Sequence, residues 1–163
     1  MAVKDYHFVT LWRFEATAAE VSDILQEPLD LPRWWPSVYL KVTEIKTGDE
    51  SGLGSEYNLY TKGWLPYTLQ WQFTVTEVNA PNGFSLEARG DFVGKGVWTL
   101  EQDSSFVNVT CDWRISAEKP LLRFFSPLLK PIFSANHHWA MRQEEESLKM
   151  ELERKRLLFG VAR

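Results

Sequence analysis

The stretch "YTLQWQFTVTEV" (residues 67–78) alternates apolar and polar side chains along its length. Its apolar positions are Tyr67, Leu69, Trp71, Phe73 and Val75. Because successive side chains of a strand point to opposite faces, the pattern predicts a β-strand with one buried and one polar face. Such a strand belongs in an antiparallel sheet whose apolar face must be covered by another element.

Strand signals recur on both sides of this stretch. Runs rich in β-branched and aromatic residues occupy 6–16, 38–47, 55–63, 84–90, 94–102 and 106–116, separated by turn-forming segments. Together with 67–78 they predict one antiparallel sheet of seven strands with a polar outer face. Gly90, Gly94 and Gly96 are expected where a strand bends or where another group approaches its backbone closely.

Two short helices are predicted after the first strand. Thr17 and Glu20 form a capping box at the start of "TAAEVSDIL", and Pro28 marks the stop of this helix. A second short helix can begin at Asp30 as N-cap and must end before Pro36.

The last third of the chain predicts a long helix. Between Pro131 and Leu157 neither glycine nor proline occurs, and Glu145–Lys149 and Glu151–Lys155 are spaced as stabilising i, i+4 pairs. One stripe of this helix carries Phe133, His137, Ala140 or Met141, Glu144 and Leu148. The predicted fold is therefore α+β: a curved seven-stranded antiparallel sheet wrapped around a long C-terminal helix, with two short helices after the first strand. Curvature leaves room for a cavity between sheet and helix.

Composition narrows the class of protein. A chain of 163 residues predicts a single domain, 1–163, and a net charge of -4 argues against a nucleic-acid partner. No apolar run is long enough to span a membrane, no signal peptide is present, and the single Cys111 fits a reducing, cytoplasmic location. The 8 Trp, 10 Phe and 5 Tyr favour a broad aromatic core or a ring-lined interior.

The element order and several motifs carry a family resemblance. "TAAEVSDIL", "RWWPSV", "GKGVWTLEQ", "CDWRI" and "NHHWAMRQEEESLKMEL" resemble the START-like (SRPBCC, helix-grip) superfamily, and within it the polyketide cyclase/dehydrase and lipid-transport subgroup. The resemblance covers nearly the whole chain and implies a tunnel between the sheet and the long helix. Members of this superfamily bind sterols, lipids, quinones, polyketides or plant hormones, and some are enzymes or chaperone co-factors. The superfamily has no universal catalytic motif, so fold does not give function.

The candidate ligand-binding residues are inward rings and polar groups on inward faces. They are Trp34, Tyr57, Trp71, Phe73, Trp98, Trp113, Arg114, Phe133, His137, Met141 and Glu144. His137 and Glu144, two helical turns apart on one face, would orient the polar end of an apolar ligand, with help from Arg114. The alternative is that both pair with Arg114 or Arg89, or reach solvent at the sheet edge.

Adjacent Trp34 and Trp35 are expected to have different roles. Neighbours on a helical turn diverge by about 100°, so one ring should plug the fold while the other faces the tunnel or its mouth. Because Pro36 restricts the backbone directly after it, Trp35 is the expected plug and Trp34 the ring that faces the tunnel.

Other kinds of site find little support. His137 and His138 diverge on a helix, so they do not converge on one metal ion. Cys111 alternates with Val109 and Trp113, which indicates a buried thiol rather than a nucleophile. The "GKG" at 94–96 lacks the spacing of a phosphate loop. From these observations together we expect neither a metal nor a cofactor.

The proline-rich segment "PLLRFFSPLLKPIF" (120–133) allows two interpretations. It is either an apolar connection packed over the open end of the sheet or a gate that touches membranes while collecting a lipid. In the second case Arg123 and Lys130 would suit lipid head groups.

The predicted function is binding, with transport as an extension of it, of a hydrophobic small molecule such as a lipid, isoprenoid or polyketide-like compound in the tunnel between the sheet and the C-terminal helix. One alternative is a cyclase or dehydratase that folds a reactive chain in the same tunnel. Another is a protein-interaction module with a vestigial cavity. Solid packing would exclude the first two, and a pair of polar groups with shifted pKa values would favour the enzyme.

Overall fold

A computed structural model describes residues 5–62, 68–117 and 120–158, with side chains at 6–62, 68–116, 131 and 134–158. In chain order the elements are β1 (Asp5–Phe14), α1 (Ala18–Leu25), a 3-10 turn (Pro28–Asp30), α2 (Leu31–Trp34), β2 (Tyr39–Lys46), β3 (Glu56–Lys62), β4 (Thr68–Asn79), β5 (Gly83–Gly90), β6 (Phe92–Asp103), β7 (Phe106–Ala117) and α3 (Pro120–Leu158).

The strands form one curved antiparallel sheet, which confirms the predicted architecture. Their order is β1-β7-β6-β5-β4-β3-β2, so β1 and β2 are the two edges. Every neighbour except β1 and β7 is also a neighbour in the chain, and these two pair with Phe8 opposite Trp113. The inner face of the sheet is thereby brought against α3.

The alternation in β4 continues until a bulge interrupts it. Trp71 and Phe73 are buried, and Val75 is partly buried on the same inner face. A register shift against β5 lies between Val75 and Glu77, and beyond it Val78 faces the interior instead. An extra residue in one strand moves the inward positions by one, because side chains alternate with a period of two. Tyr67 lies outside the described residues.

The short helices start largely as predicted. Thr17 Oγ1 accepts from the backbone N–H of Glu20, and Glu20 Oε1 accepts from the Thr17 N–H, which completes the capping box. Pro28 ends α1 as predicted, but it also opens a 3-10 turn that leads into α2. Asp30 occupies the N-cap position of α2, yet its carboxylate accepts from Arg33 Nη2 at 2.9 Å rather than capping the backbone.

Helix α3 begins earlier than expected. The prediction that the helix starts near Pro131 was wrong, because α3 runs from Pro120 and passes through Pro127 and Pro131. Proline fixes φ close to the helical value, so a helix can continue through it at the cost of one backbone hydrogen bond. The side chains of 120–130, 132 and 133 lie outside the described residues, so the proposed gate at 120–133 stays a prediction. Within the described parts of the chain, no helix has the length and apolar character to cross a membrane.

A buried carboxylate anchors α2 to α3. Glu151, whose side chain is 2% exposed, accepts from Arg33 Nη1 and Nη2, both at 2.9 Å, and from Arg154 Nη2 at 2.6 Å. Burial raises the pKa of Glu151, but the hydrogen bonds from Arg33 and Arg154 outweigh it and lower that pKa to about 2. The predicted pair Glu151–Lys155 therefore gives way to a clamp between helices. Glu145 and Lys149 do pair, at 3.4 Å.

Candidate functional site

A cavity of about 280 Å³ lies between the inner face of the sheet, the α1–α2 segment and α3. The sheet contributes Tyr6, Phe8, Tyr57, Thr61, Leu69, Trp71, Phe73, Val75, Phe84, Leu86, Phe92, Trp98, Trp113 and Ile115, among others. The α1–α2 segment and the start of β2 contribute Leu25, Gln26, Pro28, Leu31, Trp35, Val38 and Tyr39. Helix α3 contributes Asn136, His137, Ala140, Met141 and Glu144. The sheet and α3 are therefore not packed solidly against each other.

Indole rings from three strands form one wall of the cavity. Trp98 and Trp113 meet edge to face with centroids 5.2 Å apart, and Trp71 meets Trp113 in the same way at 6.1 Å. Phe84 stacks on Trp98 at 4.9 Å. These ring contacts make the wall continuous and apolar. The structure thus brings the predicted residues Trp71, Trp98 and Trp113 together, with Tyr57 and Phe73 beside them.

Gly96 gives this wall its space. A Cβ atom at Gly96 would lie 2.5 Å from Cζ3 of Trp98 and 3.2 Å from Cε2 of Trp113. Those distances are too short for an unshifted ring, so glycine is the residue that lets both indoles lie over the strand. The close approach predicted from the sequence is made here by side chains of the protein itself.

The structure reverses the assignment of the two adjacent tryptophans. Trp35 lines the cavity, whereas Trp34 is buried beside it and does not. The rings stack with centroids 6.0 Å apart and 22° between their planes. Trp35 already lies past the end of α2, with φ −129° and ψ 56°, so the 100° divergence of helical neighbours does not apply. Trp34 is therefore the ring that plugs the fold.

Arg114 lies outside the cavity. Its side chain is 70% exposed, with Nε 3.7 Å from Oδ1 of Asp112. Odd and even positions of β7 face opposite sides, so inward Trp113 places its neighbour Arg114 outward. Arg89 is likewise on the outer face, donating to Thr74 Oγ1 and Glu56 Oε1. Neither arginine pairs with His137 or Glu144. Phe133 lies on α3, but its side chain is outside the described residues.

Glu144 is a buried acid that faces the cavity. Only 3% of the residue is exposed, and its carboxyl group has no hydrogen-bond partner in the described part of the chain. Burial raises the pKa of Glu144 well above its usual value, because an unpaired carboxylate is costly in apolar surroundings. The group therefore keeps its proton at neutral pH and can donate as well as accept a hydrogen bond.

His137 lies two turns before Glu144 on α3 and also lines the cavity. Its ring stacks on Phe8, and its Nε2 atom is occluded without a hydrogen-bond partner among the described side chains. Burial and, second, the neighbouring His138 lower the pKa of His137 to about 4. The imidazole is therefore neutral at physiological pH.

Several lining residues were not among the predicted candidates. Tyr6 and Phe8 alternate inward along β1, a pattern visible in the sequence. Tyr39 opens β2 and carried no comparable signal. In the described residues, no three His, Cys, Asp or Glu side chains converge as a metal site would require. Cys111 is fully buried on β7, and burial raises its pKa well above the usual value, so it is a structural thiol.

Comparisons of the sequence with known families and proteins find no match. No protein-family model matches the chain. No curated protein matches it either.

Many solved structures share its fold. The Zhui aromatase/cyclase from Streptomyces sp. R1128 superposes with a TM-score of 0.74 at 13% identity, over 94% of this chain and 96% of that one. A START superfamily protein from Mycobacterium smegmatis gives 0.72 at 10% identity, over 91% and 97%. The di-domain ARO/CYC BexL from the BE-7585A biosynthetic pathway gives 0.66 at 10% identity, over 90% of this chain and 50% of that one. The chain therefore has the START-like, helix-grip fold.

Proposed function

We propose that this protein binds a hydrophobic small molecule, such as a lipid, isoprenoid or polyketide-like compound, in the cavity between the sheet and α3. The observation that carries the proposal is the cavity of about 280 Å³, lined mainly by apolar side chains, many of them aromatic. This volume is near the lower end of ordinary ligand pockets, which span about 300–1,000 Å³. Filling it with an apolar ligand gains about 25 cal/mol for each Å² buried, before the cost of ordering the ligand.

Two experiments test binding. Native mass spectrometry of the purified protein, followed by organic extraction, should reveal a co-purifying apolar compound. Titration with the uncharged fluorophore N-phenyl-1-naphthylamine should give saturable, one-to-one enhancement of its emission. A protein that carries no compound and does not saturate with the probe would contradict the proposal.

A cyclase or dehydratase is the second candidate, and one observation favours it. Glu144 and His137 both line the cavity, one with a raised and the other with a lowered pKa, so an acid and a base coexist at neutral pH. In a dehydration the base would take a proton from carbon, while the acid would protonate the departing hydroxyl group. A C=C bond would form as the C–O bond breaks and water leaves.

Binding remains the function that the geometry supports better. The Nε2 atom of His137 is occluded, so it cannot reach a ligand proton without movement of the ring, which stacks on Phe8. The Glu144 carboxyl oxygens, by contrast, are not occluded in this way. A test of turnover is liquid chromatography of a β-hydroxy ketone incubated with the protein: appearance of the enone would favour the enzyme.

A further inference from the structure

Two oxygen-bearing side chains at the cavity have no hydrogen-bond partner among the described residues. They are the Glu144 carboxyl group and the Tyr39 hydroxyl group. Neither is among the occluded, unpartnered polar atoms, whereas the indole nitrogens of Trp35 and Trp98 are. Trp71 differs again, because its indole N–H donates to Thr61 Oγ1 at 3.1 Å. Buried polar groups normally have partners, so these two oxygens are available to a ligand.

The fold places Tyr39 and Glu144, from distant parts of the sequence, on the lining of one cavity. Tyr39 opens β2 and contacts the Trp35 ring edge to face at 4.8 Å. Glu144 lies two turns before Glu151 on α3, and Glu151 accepts hydrogen bonds from Arg33 of α2. Both residues line the cavity, and burial raises the pKa of each well above its usual value. Both groups keep their protons at neutral pH, so each offers an O–H donor.

The chemistry of this pair favours an uncharged acceptor. An anionic ligand would need a cation, and among the described lining residues the one cationic side chain is Lys62, which is exposed. An ammonium group would need an ionised Glu144, which burial opposes. A tyrosine hydroxyl beside a carboxylic acid kept neutral by apolar surroundings is an arrangement that holds a ketone oxygen in enzymes.

We propose that Tyr39 and Glu144 form a carbonyl-binding site, and that the ligand of the cavity is an uncharged ketone or ester with an apolar body. The inference rests on the proposed binding function. It adds that the protein recognises the carbonyl end of the ligand and that this ligand is uncharged.

The test compares two ligands of nearly equal shape. 2-Acetylnaphthalene carries a carbonyl oxygen where 2-isopropenylnaphthalene carries a CH₂ group. Their dissociation constants are measured by displacement of N-phenyl-1-naphthylamine from the wild type, Tyr39→Phe and Glu144→Leu. The preference for the ketone over the hydrocarbon should fall about tenfold in each variant, as expected for one net hydrogen bond. Tyr57→Phe removes another cavity hydroxyl and should leave the preference unchanged.

A second variant and a spectroscopic measurement guard against misfolding. Glu144→Gln keeps the shape and an N–H donor, so it should retain more of the preference than Glu144→Leu. The infrared C=O stretch of the bound ketone should lie at lower frequency in the wild type than in Tyr39→Phe. If both ligands bind but their ratio is the same in all proteins, the carbonyl site is wrong while binding stands. If neither ligand binds the wild type, the binding function itself fails.

Discussion

The His137 imidazole lies nearly parallel to the Phe8 ring, with centroids 4.0 Å apart and 18° between the planes. This contact joins α3 to the edge strand β1, and both residues line the cavity. It also removes His137 from water, which is the main reason that its pKa falls to about 4. A packing contact thereby sets the charge state of a cavity residue.

Acid should therefore destabilise the protein through His137. The unfolded histidine takes up a proton near pH 6.5 and the folded one only near pH 4, so its contribution is present above pH 6.5 and lost as pH falls toward 4. We expect the free energy of unfolding of the wild type to fall, relative to His137→Phe, by on the order of 3 kcal/mol between pH 7 and 4. Urea unfolding across this range measures it. A difference that does not vary with pH would contradict the assignment.

Glu144 should have the opposite dependence. The folded protein holds a proton that the unfolded chain releases above about pH 4.5, so stability is full at low pH and is lost as pH rises from 4.5 toward the raised pKa. Glu144→Gln should gain about 1.4 kcal/mol relative to the wild type for each pH unit in that window. Denaturant unfolding from pH 4.5 to 8 measures the gain, and Glu146→Gln, at an exposed position on α3, controls for loss of one charge. Equal pH profiles for both variants would refute the prediction.

The clamp around Glu151 should matter more than surface pairs. Arg33→Met removes two hydrogen bonds of 2.9 Å to a carboxylate whose side chain is 2% exposed. We expect a loss of about 2 kcal/mol in the free energy of unfolding, because the buried charge keeps only Arg154. Lys149→Met breaks the Glu145 pair on the helix surface and should cost no more than about 0.5 kcal/mol. Similar losses in the free energy of unfolding for both variants would show that the buried Glu151 pairing contributes no more than a surface ion pair.

Gly96 should not tolerate a larger side chain. Gly96→Val would displace the Trp98 and Trp113 rings, so we expect a loss of about 1–3 kcal/mol in stability and weaker probe binding. Thr99→Val places a similar side chain on the exposed face of the same strand and serves as the control. Near-ultraviolet circular dichroism reports the ring rearrangement. An unchanged spectrum with unchanged stability would mean that the indoles have more freedom than the packing indicates.

Tryptophans that line the cavity should contribute more to probe binding than a tryptophan outside it. Trp71→Ala and Trp98→Ala each remove part of the cavity wall, whereas Trp139 packs partly buried against the core without lining the cavity. We expect the first two variants to weaken N-phenyl-1-naphthylamine binding more than Trp139→Ala does, measured by fluorescence titration on variants checked for folding. Equal effects from all three would show that the faces are assigned wrongly.

Much of the architecture was predictable because it depends on local patterns. Period-two alternation identified the inner faces of β4 and β7, and the i, i+7 spacing placed His137 and Glu144 on one face of α3. The start of α3 was not predictable from local rules, since Pro127 and Pro131 ordinarily argue against a helix interior. The bulge after Val75 was equally invisible, because it exists only in the register with β5.

The sequence alone determined the order of elements, the one-sided sheet and the stripe on α3, since each follows from the spacing of apolar residues. Tertiary structure decided which polar groups meet at the cavity. Tyr39 and Glu144 are more than a hundred residues apart, and no local pattern indicates that both line one cavity. Tertiary structure also decided which of Trp34 and Trp35 lines the cavity. Helix α2 ends before Trp35, and the Trp35 ring lies on the cavity wall. The periodicity of apolar residues predicts each helix or strand separately, whereas a binding site depends on how several elements pack against one another.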